Sequence, residues 1–245
     1  MKKLTLPSEV IYILAIALLA FSVAMLTSVD FGISMIVAPA YILSLVTNLT
    51  FGQAEYVVQA VLFVVFCLVM KKFRLPYLSA FITCLIYGAV LDLFRLIPLF
   101  NPTITPPGSM ALWARILMFI IGVPSSAFSI ALFSKAYLYP EVYDLFFLGI
   151  SRKYCIKTAV FKTCFDAFML ILGTAMSLAL FKKFVGINWG TLVMTLVNGV
   201  LISGFSKLLD KFVTVKPLFK KFAAHFALDE PIPTKIKHNP YKREL

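Results

Sequence analysis

From Val10 to Val29 the chain runs twenty residues without a charge. About twenty such residues are what one helix needs to cross the ~30 Å hydrocarbon core of a bilayer. In that medium every backbone N–H and C=O must be satisfied within the protein, which limits a spanning chain to helices or a closed barrel. Residues 31–54, 56–70, 75–91, 116–134, 158–181 and 184–206 carry further long apolar runs. Hydrophobic residues make up 61% of the 245 and charged residues 14%. Soluble domains sit nearer 45–50% and about 25%. A disordered chain, a disulfide scaffold, a coiled coil and an ordinary soluble enzyme are excluded. The expected fold is an all-α polytopic membrane protein with about six transmembrane helices.

The net charge is +12. The basic residues flank the apolar runs, as in Lys71-Lys72-Phe73-Arg74 and Arg152–Lys157, or lie in the tail. That is the pattern of loops facing anionic headgroups, not of a nucleic-acid surface. Cys67, Cys84, Cys155 and Cys164 show no CxxC spacing, and both histidines lie in the tail, so no metal site is expected. The first run follows Lys2 and Lys3 but exceeds a signal-peptide core and lacks a small-x-small cleavage site, so it reads as a retained span.

Two segments break the pattern. Residues 31–54 are uncharged but interrupted by Gly32, Pro39 and Gly52, and residues 137–151 contain Pro140, Glu141 and Asp144. If 31–54 crossed fully, Lys71–Arg74 would fall outside the cell. If it does not, that loop, Arg152–Lys157 and both termini are cytoplasmic, as the positive-inside rule requires, and only Lys182-Lys183 lies outside. Each broken segment is therefore expected to hold a broken or re-entrant helix. A transmembrane domain is expected over residues 1–206. The tail, 207–245, is basic, and Leu218, Phe219, Phe222 and Phe226 suggest an amphipathic helix on the membrane surface.

The chain also repeats itself. Phe21–Thr27 matches Phe128–Ser134 at an offset of 107. Lys71-Lys72-Phe73 matches Lys182-Lys183-Phe184 at 111, an offset that also pairs Glu55 with Asp166 and Gly88 with Gly199. Each half, about 10–99 and 111–206, then holds three spans and one broken segment. Three spans per half give the halves opposite topology, the inverted-repeat plan of many secondary transporters.

Charged side chains at bilayer depth are costly and mark functional or paired positions. Glu55 and Asp166 each lie sixteen residues before a basic helix end, about 24 Å along a helix. With Gln59, one turn from Glu55, with Asp144 and with Asn198, they are the expected solute-binding residues. Lys162 is one turn before Asp166 and would neutralise it, and Asp92 and Arg95 would form a local ion pair. Gly88, Gly190 and Gly199 suit close helix packing. No phosphate loop, catalytic triad or HExxH occurs, so no enzymatic activity and no cofactor are expected.

The run Asp30-Phe-Gly-Ile-Ser-Met-Ile-Val-Ala-Pro-Ala-Tyr-Ile-Leu-Ser44, with Gln53-Ala-Glu-Tyr56, Tyr87-Gly88 and Asp92, resembles the YczE/YyaS/YitT family of bacterial integral membrane proteins. In the second half Tyr143-Asp144, Gly149-Ile-Ser151, Trp189-Gly190-Thr191 and Asn198-Gly199 extend the resemblance. It implies a multi-pass protein of the bacterial cytoplasmic membrane and no particular activity. Asn188 stands where the family tends to read glycine, which predicts a looser helix approach at that turn. Two functions follow as expectations. One is transport of a small solute or ion from a site between the halves. The other is a non-transporting accessory or assembly role exercised through the basic tail.

Overall fold

The computed structural model describes residues 4–71, 73–219 and 223. Among the described residues, six helices are long and apolar enough to cross a bilayer: α1 (Ser8–Val29), α3 (Phe51–Met70), α4 (Leu75–Phe94), α5 (Leu112–Phe133), α7 (Thr158–Phe181) and α8 (Trp189–Phe212). Two are too short, α2 (Ala38–Val46) and α6 (Val142–Lys153). At 1.5 Å per residue these reach about 14 and 18 Å, roughly half of a hydrocarbon core. They fall in the two broken segments, as expected. The expected amphipathic tail helix lies mostly outside the described residues.

The segments just before α1 and just after α8 meet at one face. There β1 (Leu4–Pro7) pairs in parallel with β2 (Val213–Lys216), a small sheet that the hydropathy pattern does not announce. The Glu9 carboxylate accepts from the Leu218 and Phe219 backbone N–H groups and from the Tyr137 hydroxyl, all at 3.0–3.2 Å. At the same face Lys153 Nζ donates to the Val69 carbonyl, and Lys135 pairs with Asp210 at 2.8 Å. We call this the terminal face. At the opposite, distal face Gly108 N donates to Ser28 O at 3.1 Å and Asn188 Nδ2 to Asp30 O at 3.4 Å.

Helix ends deviate from the hydropathy reading where side chains cap them. α8 starts at Trp189 rather than near Phe184, because Asn188 and Thr191 form a reciprocal capping box. It runs past residue 206 to Phe212, where Asp210 meets Lys135. Thr50 and Gln53 cap α3 in the same way.

α1 packs against α5 and α4, and α5 packs against α8. α2 sits on α3 and α7, and α6 sits on α7 and α3. The remaining helix surface is apolar and exposed, with Leu196 at 77% and Val200 at 73%, as a lipid-facing surface requires.

One difference between the halves matters most. α3 and α4 are pressed together at their distal ends: a methyl group on Gly52 would overlap the Gly88 carbonyl, and one on Gly88 the Tyr56 ring. The Asp92 carboxylate closes that contact, accepting from Thr50 Oγ1 at 2.5 Å and Gly52 N at 2.9 Å. α7 and α8 are joined at the distal face but make almost no contact along their lengths. Gly199, expected at a tight crossing, has nothing within 4 Å of where a side chain would begin. Gly190 does sit at a close approach, its N–H donating to Phe31 O at 2.7 Å, so the turn at Asn188 is tight rather than loose.

Gly52→Ala and Gly88→Ala are each expected to lower unfolding stability in detergent by about 1–3 kcal/mol, the usual cost of overpacking. Gly199→Ala should change it by less than about 0.5 kcal/mol. Equal effects at all three positions would contradict the asymmetry.

Candidate functional site

A cavity of about 200 Å³ lies where the starts of α2 and α6 approach each other, walled by α1, α4, α5, α7 and α8. Its polar lining is Tyr87, Glu141, Asp144, Lys162, Asp166 and Asn198, with Ser and Thr side chains between them. The rest is aliphatic, including Leu19, Val23 and Ile130. On the distal side it is closed. Ile33 N donates to Gly186 O at 3.0 Å, Gly190 N donates to Phe31 O, and the rings of Phe31, Phe119 and Trp189 pack together there.

The carboxylates are placed by local backbone chemistry. Glu141 is the residue before α6 and has extended backbone, φ −146° and ψ 169°. Asp144 lies in the first turn of α6, where the unpaired N–H groups of a helix start favour negative charge. Asp166 follows Lys162 by one helical turn on α7, and the two pair at 3.4 Å, as the spacing predicts. Lys162 Nζ also sits 4.8 Å from the centre of the Phe147 ring.

Of the residues expected to bind a solute, Asp144, Asp166 and Asn198 line the cavity. Glu55 and Gln59 do not; they stand behind its wall. Glu55 is fully buried, and its Oε2 accepts from the Tyr143 hydroxyl at 3.0 Å and from Gln59 Nε2 at 3.3 Å. Gln59 Oε1 in turn accepts from Val142 N at 3.1 Å, the first N–H of α6. Since α6 has no side-chain cap of its own, Gln59 supplies one from α3. The pair therefore anchors α6 and orients Tyr143, whose ring edge forms part of the wall.

The expected Asp92–Arg95 pair does not form. Asp92 is taken up at the start of α3, where the Thr50 hydroxyl and the Gly52 N–H donate to its two oxygens. The Arg95 guanidinium lies instead over the Phe51 ring, 5.3 Å from its centre.

Glu141 is the site residue that the sequence reading passes over. It is 8% exposed, lines the cavity, and its Oε1 has no hydrogen-bond partner. The signal that would have found it is the one that singled out Asp144: a charged residue in a proline-broken segment at membrane depth. Among the described residues, no three His, Cys, Asp or Glu side chains come together in a way that would hold a metal ion.

Gln59→Leu strips α6 of its cap and Glu55 of a donor, so it should cost about 1–3 kcal/mol of unfolding stability, the penalty of leaving buried polar groups unmet. Tyr143→Phe should cost about 1 kcal/mol. Both can be read by thermal unfolding in detergent, and two neutral variants would remove the anchoring role.

No curated protein and no solved structure matches the chain. The sequence model of a family of unknown function, DUF6198, matches residues 6–207, from β1 to within α8. The chain, a multi-pass helical membrane protein, belongs to that family.

Proposed function

We propose that the protein is a transporter of a small solute and that the cavity is its binding site. The observation that carries this reading is the way the cavity wall pairs across the two halves of the sequence. An offset of 107 takes Leu19 to Ser126, Val23 to Ile130, Ser34 to Glu141 and Val37 to Asp144, and every one of these residues lines the cavity. An offset of 111 takes Tyr87 to Asn198, and both line the cavity. Lys71 and Lys182, matched at the same offset, both end their helices in left-handed backbone, φ 53° and 58°. α2 runs from the cavity to the distal face and α6 from the cavity to the terminal face. These features support two inverted repeats with a shared site near the bilayer midplane, where broken helices start.

Inverted repeats supply two conformations from one architecture, because each half can adopt the shape of the other. Here the α3–α4 pair is closed at its distal end and the α7–α8 pair is parted. The counterparts of Gly52 and Gly88 are Thr163 and Gly199, and the counterpart of Asp92 is Ser203, which bonds only to its own helix at Gly199 O. In the alternate state α7 and α8 close while Asp92 releases Thr50 and Gly52. Lys71, Arg74, Lys135, Arg152, Lys153 and Lys157 sit at the terminal face. By the positive-inside rule that face is cytoplasmic in a bacterial inner membrane, and the present state faces inward. The narrower resemblance to YczE/YyaS/YitT proteins fits this placement and adds no activity.

Alternating access can be tested without knowing the solute. Asn198→Cys, in a chain whose four cysteines are replaced by alanine, would be exposed in sealed vesicles to a membrane-impermeant methanethiosulfonate. Transport predicts modification from both faces. Modification from one face only, or from neither, would rule out alternating access and return the accessory role through the tail.

A further inference from the structure

We propose that the solute is a small organic ammonium ion with a short apolar body. This rests on the cavity being a solute site and adds the chemistry of what it holds. The wall carries three carboxylates, Glu141, Asp144 and Asp166, against one cation, Lys162, which already pairs with Asp166. Two wall carboxylate oxygens, Glu141 Oε1 and Asp166 Oδ1, are buried without a partner, and Glu141 is itself more than nine-tenths buried. An unmet buried acceptor is costly, so an occupant that carries N–H donors and positive charge gains most at these atoms. An anion would meet the opposite: excess negative charge and acceptors already in surplus.

Size and surroundings narrow the class. The cavity holds about 200 Å³, below the ~300–1,000 Å³ typical of sites for drug-sized ligands. Beside the polar group it offers Leu19, Val23, Ile33, Ile36, Ile130 and Met194, a surface for an alkyl or aryl body. A bare metal ion would leave that surface unused and would find no cluster of three ligating side chains among the described residues.

The test is thermal unfolding of the full chain in detergent with ethyl-, butyl- and hexylammonium chloride. Tetramethylammonium, hexanoate and sodium chloride at equal ionic strength serve as controls. A ligand that binds only the folded protein raises its apparent stability in a saturable way. Butyl- and hexylammonium are expected to do so. Tetramethylammonium, which has no N–H, and hexanoate are not. Glu141→Gln should weaken the apparent affinity at least tenfold. Should Glu141→Gln not be monodisperse, Asn198→Cys gives a second readout, as hexylammonium should protect its thiol from methanethiosulfonate.

A shift of equal size in Glu141→Gln, an equal shift with hexanoate, or no saturable shift with any ammonium would overturn the proposal. Failure here with labelling of Asn198→Cys from both faces would leave transport standing for another solute. Ammonium binding with labelling from one face would keep the ligand class and remove transport.

Discussion

A helix that begins inside an apolar medium presents N–H groups that no water can satisfy. α6 starts with no side-chain cap of its own, and Gln59 of α3 accepts from the first of its N–H groups while Glu55 accepts from Gln59 and Tyr143. The site depends on that arrangement. Without a fixed start to α6, Glu141 and Asp144 would have no defined position on the cavity wall. Glu55, a fully buried glutamate of the first half, thus helps to place the carboxylates of the second through Gln59 and Tyr143.

The second constraint is how closely helices can approach. Between α3 and α4, Gly52 and Gly88 allow backbone to meet backbone, and Asp92 locks the end of the contact. At the matched place between α7 and α8 a threonine replaces one glycine, and the helices stand apart. In the transport function proposed, one tight pair and one open pair would let two states interconvert by remaking a few contacts at helix ends rather than the whole core.

Much of the fold was legible in the sequence because a bilayer narrows the choices. Long apolar runs marked six spans, and Pro39 and Pro140 marked the segments too broken to cross. Asp144, Asp166 and Asn198, polar residues in otherwise apolar or broken segments, could be singled out as cavity-lining candidates from the sequence alone. Less legible was anything set by competition between partners. Asp92 and Arg95 are three apart and oppositely charged, yet the N-terminus of α3, forty residues away in sequence, takes the carboxylate. Glu55 matches Asp166 by offset but stands behind the wall, because the tight α3–α4 pair keeps its helix away from the cavity. Gly199 reads like Gly88, and only the neighbouring helix decides whether a glycine is used. The β1–β2 pairing joins segments about 200 residues apart and has no local signature.

Transport as proposed requires the open and closed helix pairs to exchange roles. Spin labels on Val160 and Leu208 report the terminal ends of α7 and α8, and labels on Gln53 and Leu93 report the distal ends of α3 and α4. Double electron–electron resonance in lipid nanodiscs over a range of pH measures both separations. The account predicts two populations, one long at 160–208 and short at 53–93, the other reversed. A single, unchanging separation for each pair would contradict it.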